Sequence, residues 1–285
     1  MPAFPHRLGL HVSIAGGIEK APDRARDLGC TAMQIFSRNP RGWNPAPLPP
    51  ESIRIFKEKI TERAIDPVVV HTPYLLNLAS GDQVLYRRSV EALSEDLRRA
   101  ELLGARFVVT HLGSPGAGNP AEGHRQVIKA LKEVFQARSS VMLLLENSAG
   151  AGRTVGSSLE EMGKIIEEAG RDCRLGFCFD TCHGFAAGYD FRSEEQSRGL
   201  AKEIDRTVTL ARLKVLHLND CEGPLGARRD RHQHIGKGEI GLLGFKSLLR
   251  QEALRKVPLI LETPKDKPGD DRRNLSRIRA LLKSL

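Results

Sequence analysis

Apolar residues gather into eight short segments, at 8–11, 32–36, 67–71, 106–111, 141–146, 175–180, 213–217 and 257–262. Runs such as Val68-Val69-Val70 and Val141-Met142-Leu143-Leu144-Leu145 are apolar throughout, the pattern of parallel strands covered on both faces. Between them, leucine and isoleucine recur three or four apart among Arg, Lys and Glu, as a helix with one buried face requires. This spacing predicts helices near 18–28, 50–62, 83–103, 121–137, 158–169, 193–211, 242–254 and 270–282, with Gly29, Gly104 and Gly170 as stops. Eight strand–helix alternations most simply close into a single-domain (β/α)8 TIM barrel over residues 1–285, with its active groups at the carboxyl ends of the strands. An open doubly wound sheet is the weaker alternative, because it would bind its ligand at one switch point only.

The polar residues at the strand ends sharpen that picture. Seven segments end in a metal-competent group: His11, His71, His111, Glu146, Asp180, His217 and Glu262. The segment ending at Phe36 is expected to bring none. Loops add His183, Asp230 and His232, and in extended chain the last two face the same way. A single buried histidine is more often a hydrogen-bonded core residue than a ligand. His11 and His234 are read in that way, His11 also as a group that orients a ligand; His6 and His124 are read as surface. Nine candidates remain. A catalytic zinc takes about three protein ligands, so nine suggest three ions, with a central carboxylate shared between two of them. Mixed imidazole and carboxylate donors suit zinc or manganese better than magnesium or calcium. Cys178 and Cys182 have no second pair to make a zinc ribbon and are expected to pack around Asp180.

Composition narrows the setting. Lys and Arg number 44 against 35 Asp and Glu, a net charge of +9. That excess suits a polyanionic partner, although an ordinary basic surface explains it equally well. Five cysteines argue against a disulfide framework and for a reducing compartment. No apolar run approaches the ~18 residues of a membrane span. The opening residues lack a signal pattern, so a cytoplasmic protein is expected. The long turns 37–49, 72–81, 113–118, 184–191 and 219–241 lie on the same side as the candidate ligands, where loops carry specificity.

These residues closely resemble the endonuclease IV family of apurinic/apyrimidinic DNA endonucleases. The likeness runs from His11-Val12-Ser13-Ile14-Ala15-Gly16-Gly17 to Glu262-Thr263. It is most specific in Asp180-Thr181-Cys182-His183, Ala186-Ala187-Gly188-Tyr189-Asp190, His217-Leu218-Asn219-Asp220 and Asp230-Arg231-His232. The resemblance implies a trinuclear zinc barrel, with manganese admissible at one site, that cuts duplex DNA 5′ to an abasic site. The products would be a 3′-hydroxyl and a 5′-deoxyribose phosphate, with a zinc-held hydroxide as nucleophile; trimming of 3′ ends is a further capacity of such enzymes. By motif, His71, His111 and Glu146 would hold one ion. Glu146 would bridge to a second held by Asp180, His217 and Glu262, and His183, Asp230 and His232 would hold the third. Glu262 would also help to position the attacking water. Arg41 and Tyr74 match segments that enter the duplex at the lesion, and Arg231 is assigned to DNA contact. Thr72-Pro73 and Ala151 depart from residues common in the family, without touching a proposed ligand. A monomer with no obligate protein partner and no membrane is expected. Two rivals stand beside this reading. One is a sugar isomerase or epimerase of the same superfamily, with a smaller metal site; the other is a non-catalytic DNA-binding protein.

Overall fold

The computed structural model describes residues 6–137, 139–170 and 174–285. The opening Met1–Pro5 and one of the five cysteines, Cys173, lie outside them. Among the described residues ten strands occur in order: β1 (Leu8–Leu10), β2 (Met33–Phe36), β3 (Val68–His71), β4 (Phe107–Thr110), β5 (Met142–Glu146), β6 (Leu175–Asp180), β7 (Leu213–Leu218), β8 (Asp220–Cys221), β9 (His232–Gln233) and β10 (Leu259–Leu261). Eight of them form one parallel sheet in the order β1-β10-β7-β6-β5-β4-β3-β2, while β8 and β9 pair antiparallel above it. The ends meet at a seam. His11 bridges Gln34 in parallel, Val12 N–H donates to Gln34 O at 2.7 Å, and Thr31 N–H donates to Leu8 O at 2.9 Å. The result is the nearly closed (β/α)8 TIM barrel predicted from the alternation.

Strand parity explains where the polar groups fall. Ala32, Val69, Val109, Leu144, Cys178, Val215 and Ile260, from or beside seven different strands, form a small buried cluster apart from the main core. In a strand, residues i and i+2 share a face. Two residues beyond these positions stand Gln34, His71, His111, Glu146, Asp180, His217 and Glu262. The interior is therefore apolar below and chargeable at the mouth.

Helices Pro50–Glu62 and Gln83–Leu103 have the predicted bounds. The latter is capped by Asp82, whose carboxylate accepts from Val84 N–H at 2.8 Å and Leu85 N–H at 3.1 Å. Gly29, Gly104 and Gly170 all have positive φ, as helix stops favour. One helix was not foreseen. Thr181–Ala187 is helical where a loop was expected, because Asp180 Oδ1 accepts from His183 N–H at 2.8 Å and starts a turn directly off β6. None of the described helices is long and apolar enough to cross a membrane.

At the seam, a Cβ added to Gly9 would lie 1.9 Å from Ala32 O. Gly9→Ala is expected to pry β1 from β2 and destabilise the fold by about 1–3 kcal/mol. The change would be read as a lower urea midpoint at constant slope. An unmoved midpoint would show that the seam opens freely.

Candidate metal centre

Each candidate is delivered by a different stretch of backbone. Glu146 and Asp180 end β5 and β6, His71 ends β3, and His217 lies within β7. His111 and Glu262 each follow their strand by one residue. His183 sits in the first turn of the helix after β6, and His232 lies on β9, which hydrogen bonding to β8 folds back over the mouth. Asp230 approaches from the loop before β9, its side chain half exposed.

All nine come together. Donor atoms of His71, His111 and Glu146 lie within 4.8 Å of one another, as do those of Glu146, Asp180, His217 and Glu262, and those of Asp180, His183 and His232. Asp230 reaches His183 Nε2 at 3.2 Å and His232 Nε2 at 3.1 Å. Glu146 belongs to two groups, as a shared central carboxylate would. Asp180 also belongs to two, which the motif reading did not foresee.

The orientation of the imidazoles is the most telling feature. His71 Nδ1–H donates to Thr72 O at 2.7 Å, and His183 Nδ1–H to Asn147 O at 3.0 Å. His217 Nε2–H donates to Gln34 Oε1 at 2.8 Å, and His232 Nδ1–H to Glu262 O at 2.8 Å. In each ring the outer nitrogen is tied to a protein oxygen and the inner one faces the carboxylates. His217 Nδ1, for example, lies 2.9 Å from Glu146 Oε1 and 3.3 Å from Glu262 Oε2. Fixing the tautomer through the second nitrogen is how proteins hold metal-binding histidines.

The electrostatics agree with cation binding. Against burial, which acts to lower it, the Asp230 hydrogen bond and the Asp180 charge raise His232 to about 9. His183 and His217 are likewise held well above their ordinary value, burial being outweighed by neighbouring charge and hydrogen bonds. His111, its side chain 32% exposed, falls to about 4 because desolvation of its buried part outweighs the Glu146 charge. A field of four carboxylates strong enough to hold protons on buried imidazoles equally favours divalent ions, which displace those protons on binding. Five imidazoles and four carboxylates, with four of the rings oriented in this way, fit a divalent metal.

Several neighbours escaped the sequence reading, Gln34 first among them. The second strand does contribute to the mouth, through an inner position rather than its last residue. Gln34 is fully buried. Its Oε1 accepts from His217, and its amide N–H groups donate to Glu262 Oε1 and, at 3.0 Å, to His11 Nδ1. Period-two alignment on Ala32 was the signal that would have found it. Asn147 holds the Asp180 backbone from both sides, at 2.7 and 3.1 Å. Asn219 donates to Asp180 Oδ2 at 2.8 Å. His11 completes none of the groups; it accepts from Gln34 and stands 3.8 Å from Glu262. Cys178 lies in the interior layer directly beneath Asp180, and Cys182 donates to Arg231 O at 3.4 Å.

His234 gathers with Asp266 and Asp270 elsewhere. Asn274 Oδ1 accepts from Ile235 N–H, so its amide group donates to His234 Nδ1 at 3.0 Å. The His234 proton then sits on Nε2, facing the carboxylates as a donor. That arrangement satisfies the histidine without a metal.

The cavity over the cluster is lined by six of the nine, His71, His111, His183, Asp230, His232 and Glu262, together with His11, Phe36, Tyr74, Thr263 and Lys265. Tyr74 is 72% exposed and meets the Phe36 ring edge-on at 5.5 Å. Arg41 and Arg231 are exposed on loops 37–49 and 219–241.

A family model described as xylose isomerase-like TIM barrel matches residues 22–285. A probable endonuclease 4 of Methanoculleus marisnigri is 47% identical over 96% of this chain and 98% of its own length. One from Cenarchaeum symbiosum is 42% identical over 96% and 99%. The crystal structure of endonuclease IV from Thermus thermophilus superposes with a TM-score of 0.87 at 40% identity, covering 98% of this chain and all of that one. The chain belongs to the endonuclease IV family. It is an enzyme of the nuclease class on a TIM barrel, with clusters competent to bind metal. A D-tagatose 3-epimerase-like protein, 18% identical with a TM-score of 0.72, shares the fold.

Gln34→Leu is expected to weaken retention of divalent metal by about 10–100-fold, the usual effect of losing a partner that orients a ligand. Competition with a chelator would measure it. Retention equal to the wild type would remove Gln34 from the centre.

Proposed function

We propose that the protein incises duplex DNA on the 5′ side of an abasic site, leaving a 3′-hydroxyl and a 5′-deoxyribose phosphate, with three zinc ions at the mouth. The observation that carries this reading is the set of imidazoles whose outer nitrogens are tied to protein oxygens while the inner ones converge on four carboxylates. Family membership supplies the substrate class.

His71, His111 and Glu146 would hold one ion, and Glu146, Asp180, His217 and Glu262 the second. His183, Asp230 and His232 would hold the third, with Asp180 in reach. Bound zinc supplies a water of lowered pKa, about 7, and neutralises charge on a phosphodiester. The chain's own groups do the rest. Glu262 has a slightly exposed carboxylate on the cavity wall, and positions or deprotonates the attacking water. Gln34 holds that carboxylate in place and is itself held by His11 Nδ1. Among the described residues no Ser or Cys lines the cavity, and its one lysine, Lys265, donates to His11 O and Asp271, in keeping with direct attack by water.

Arg41, Tyr74 and Arg231 are assigned to DNA. Tyr74 stands on a base of Phe36 beside the cavity, where it can fill the gap of a missing base. Unstacking costs least at a damaged site, and that difference is itself selective. A sugar isomerase would use the group of Glu146, Asp180, His217 and Glu262, but gives no role to His183, Asp230 and His232. Its likeness here extends to the fold alone.

His111→Ala and Glu146→Ala are each expected to abolish incision of a duplex carrying one abasic-site analogue. Metal analysis of the wild type should find about three zinc ions per chain, by the allotment of about three ligands to each. Full turnover by either variant with its metals intact would sink the assignment, and one or two ions per chain would favour the isomerase. Tyr74→Ala should narrow the discrimination between lesion and intact duplex by about 1–3 kcal/mol, the worth of one aromatic–base stack. Discrimination that survives both Tyr74→Ala and Arg41→Ala would rule out insertion.

A further inference from the structure

The loop 37–49 leaves β2 in the mouth and presents Arg41 at an exposed tip, while its foot is buried on the helix Gln83–Leu103. Asp96, fully buried on that helix, receives a two-pronged bond from Arg38: Nε to Oδ1 and Nη2 to Oδ2, each 3.0 Å. Ser37 Oγ donates to the same carboxylate at 2.6 Å. The remaining Arg38 nitrogen, Nη1, donates to Gly42 O at 3.0 Å and Trp43 O at 3.1 Å. From the same helix, Arg99 donates to Ser37 O at 3.1 and 2.8 Å and to Ala46 O at 3.0 Å. Arg88 covers the Trp43 ring at 4.4 Å.

Burying two guanidiniums and a carboxylate is a poor way to gain stability, since apolar replacements often do as well or better. What the arrangement provides is geometry. Planar forks fix direction as well as distance, and here they grip four carbonyls of one loop. Prolines at 40, 45, 47 and 49 restrict the same segment further. None of the network's residues lies in the metal cluster.

We propose that Asp96 is a positioning residue for DNA recognition: by fixing Arg38 it holds loop 37–49 so that Arg41 is aimed before the duplex arrives. The role rests on the DNA-incision reading and adds to it a reason for affinity. A loop ordered in advance loses less freedom on binding.

The test is Asp96→Asn, assayed on the abasic duplex by steady-state kinetics, with zinc content measured in parallel. KM should rise about tenfold while kcat stays within about twofold, the signature of lost binding rather than lost chemistry, and zinc content should be unchanged. In an Arg41→Ala background the same substitution should add less than about twofold, because coupled residues are not additive. An unchanged KM, or an equal rise in both backgrounds, would overturn the role. Should Asp96→Asn not fold, the pair Arg38→Met with Asp96→Leu restores packing without gripping the loop. It must reproduce the KM rise and the non-additivity, and a wild-type KM there would overturn the proposal too. A zinc-loaded wild type that leaves the duplex uncut would overturn the DNA reading and this role together. Cleavage by the wild type alongside additive variants would overturn this role alone.

Discussion

Mutual repulsion among four carboxylates is the constraint to which the rest of this molecule answers. Glu146 and Asp180 are wholly buried, Glu262 nearly so, and Asp230 leans in from a loop. Charges of one sign at such distances in a low-dielectric mouth demand compensation by cations or protons. The histidines meet that demand in an ordered way. Their inner nitrogens face the acids while their outer nitrogens are spent on Thr72, Asn147, Gln34 and Glu262. The centre is thus an arrangement of tautomers as much as of ligands.

The barrel makes that arrangement possible. A parallel sheet nearly closed on itself puts the carboxyl ends of its strands around one rim, and the two-residue period of each strand turns the last inward position toward the axis. Beneath the charged rim lies a dry layer of Val69, Val109, Leu144, Val215 and Ile260. That layer raises the stakes of every polar contact above it, because an unpaired group there has no water to turn to. The helix after β6 follows from the same economy of donors: Asp180 serves the mouth with one oxygen and caps His183 with the other.

The loops extend this logic outward. The residues assigned to DNA stand on segments that are themselves anchored. Tyr74 rests on Phe36, and Arg41 rides a loop pinned by Arg38, Asp96 and Arg99. Rigid presentation of exposed groups suits recognition of a lesion whose own cost of distortion is low.

Alternation of apolar segments with amphipathic stretches was enough to read the barrel, because both periods are imposed by backbone geometry and survive any tertiary context. The same regularity exposed the strand-end ligands, since one polar residue at the close of an apolar run stands out. Gln34 did not stand out, being neutral and flanked by Met33 and Ile35 within its strand; only closure of the seam brings it against His11, His217 and Glu262. Arg38 and Asp96 lie 58 residues apart, and nothing local marks either as buried. The chain by itself determined which groups carry charge and on which face of each strand they fall. Folding alone decided their distances, their shared neighbours and which nitrogen of each imidazole is free, because those depend on contacts between segments that no local period encodes.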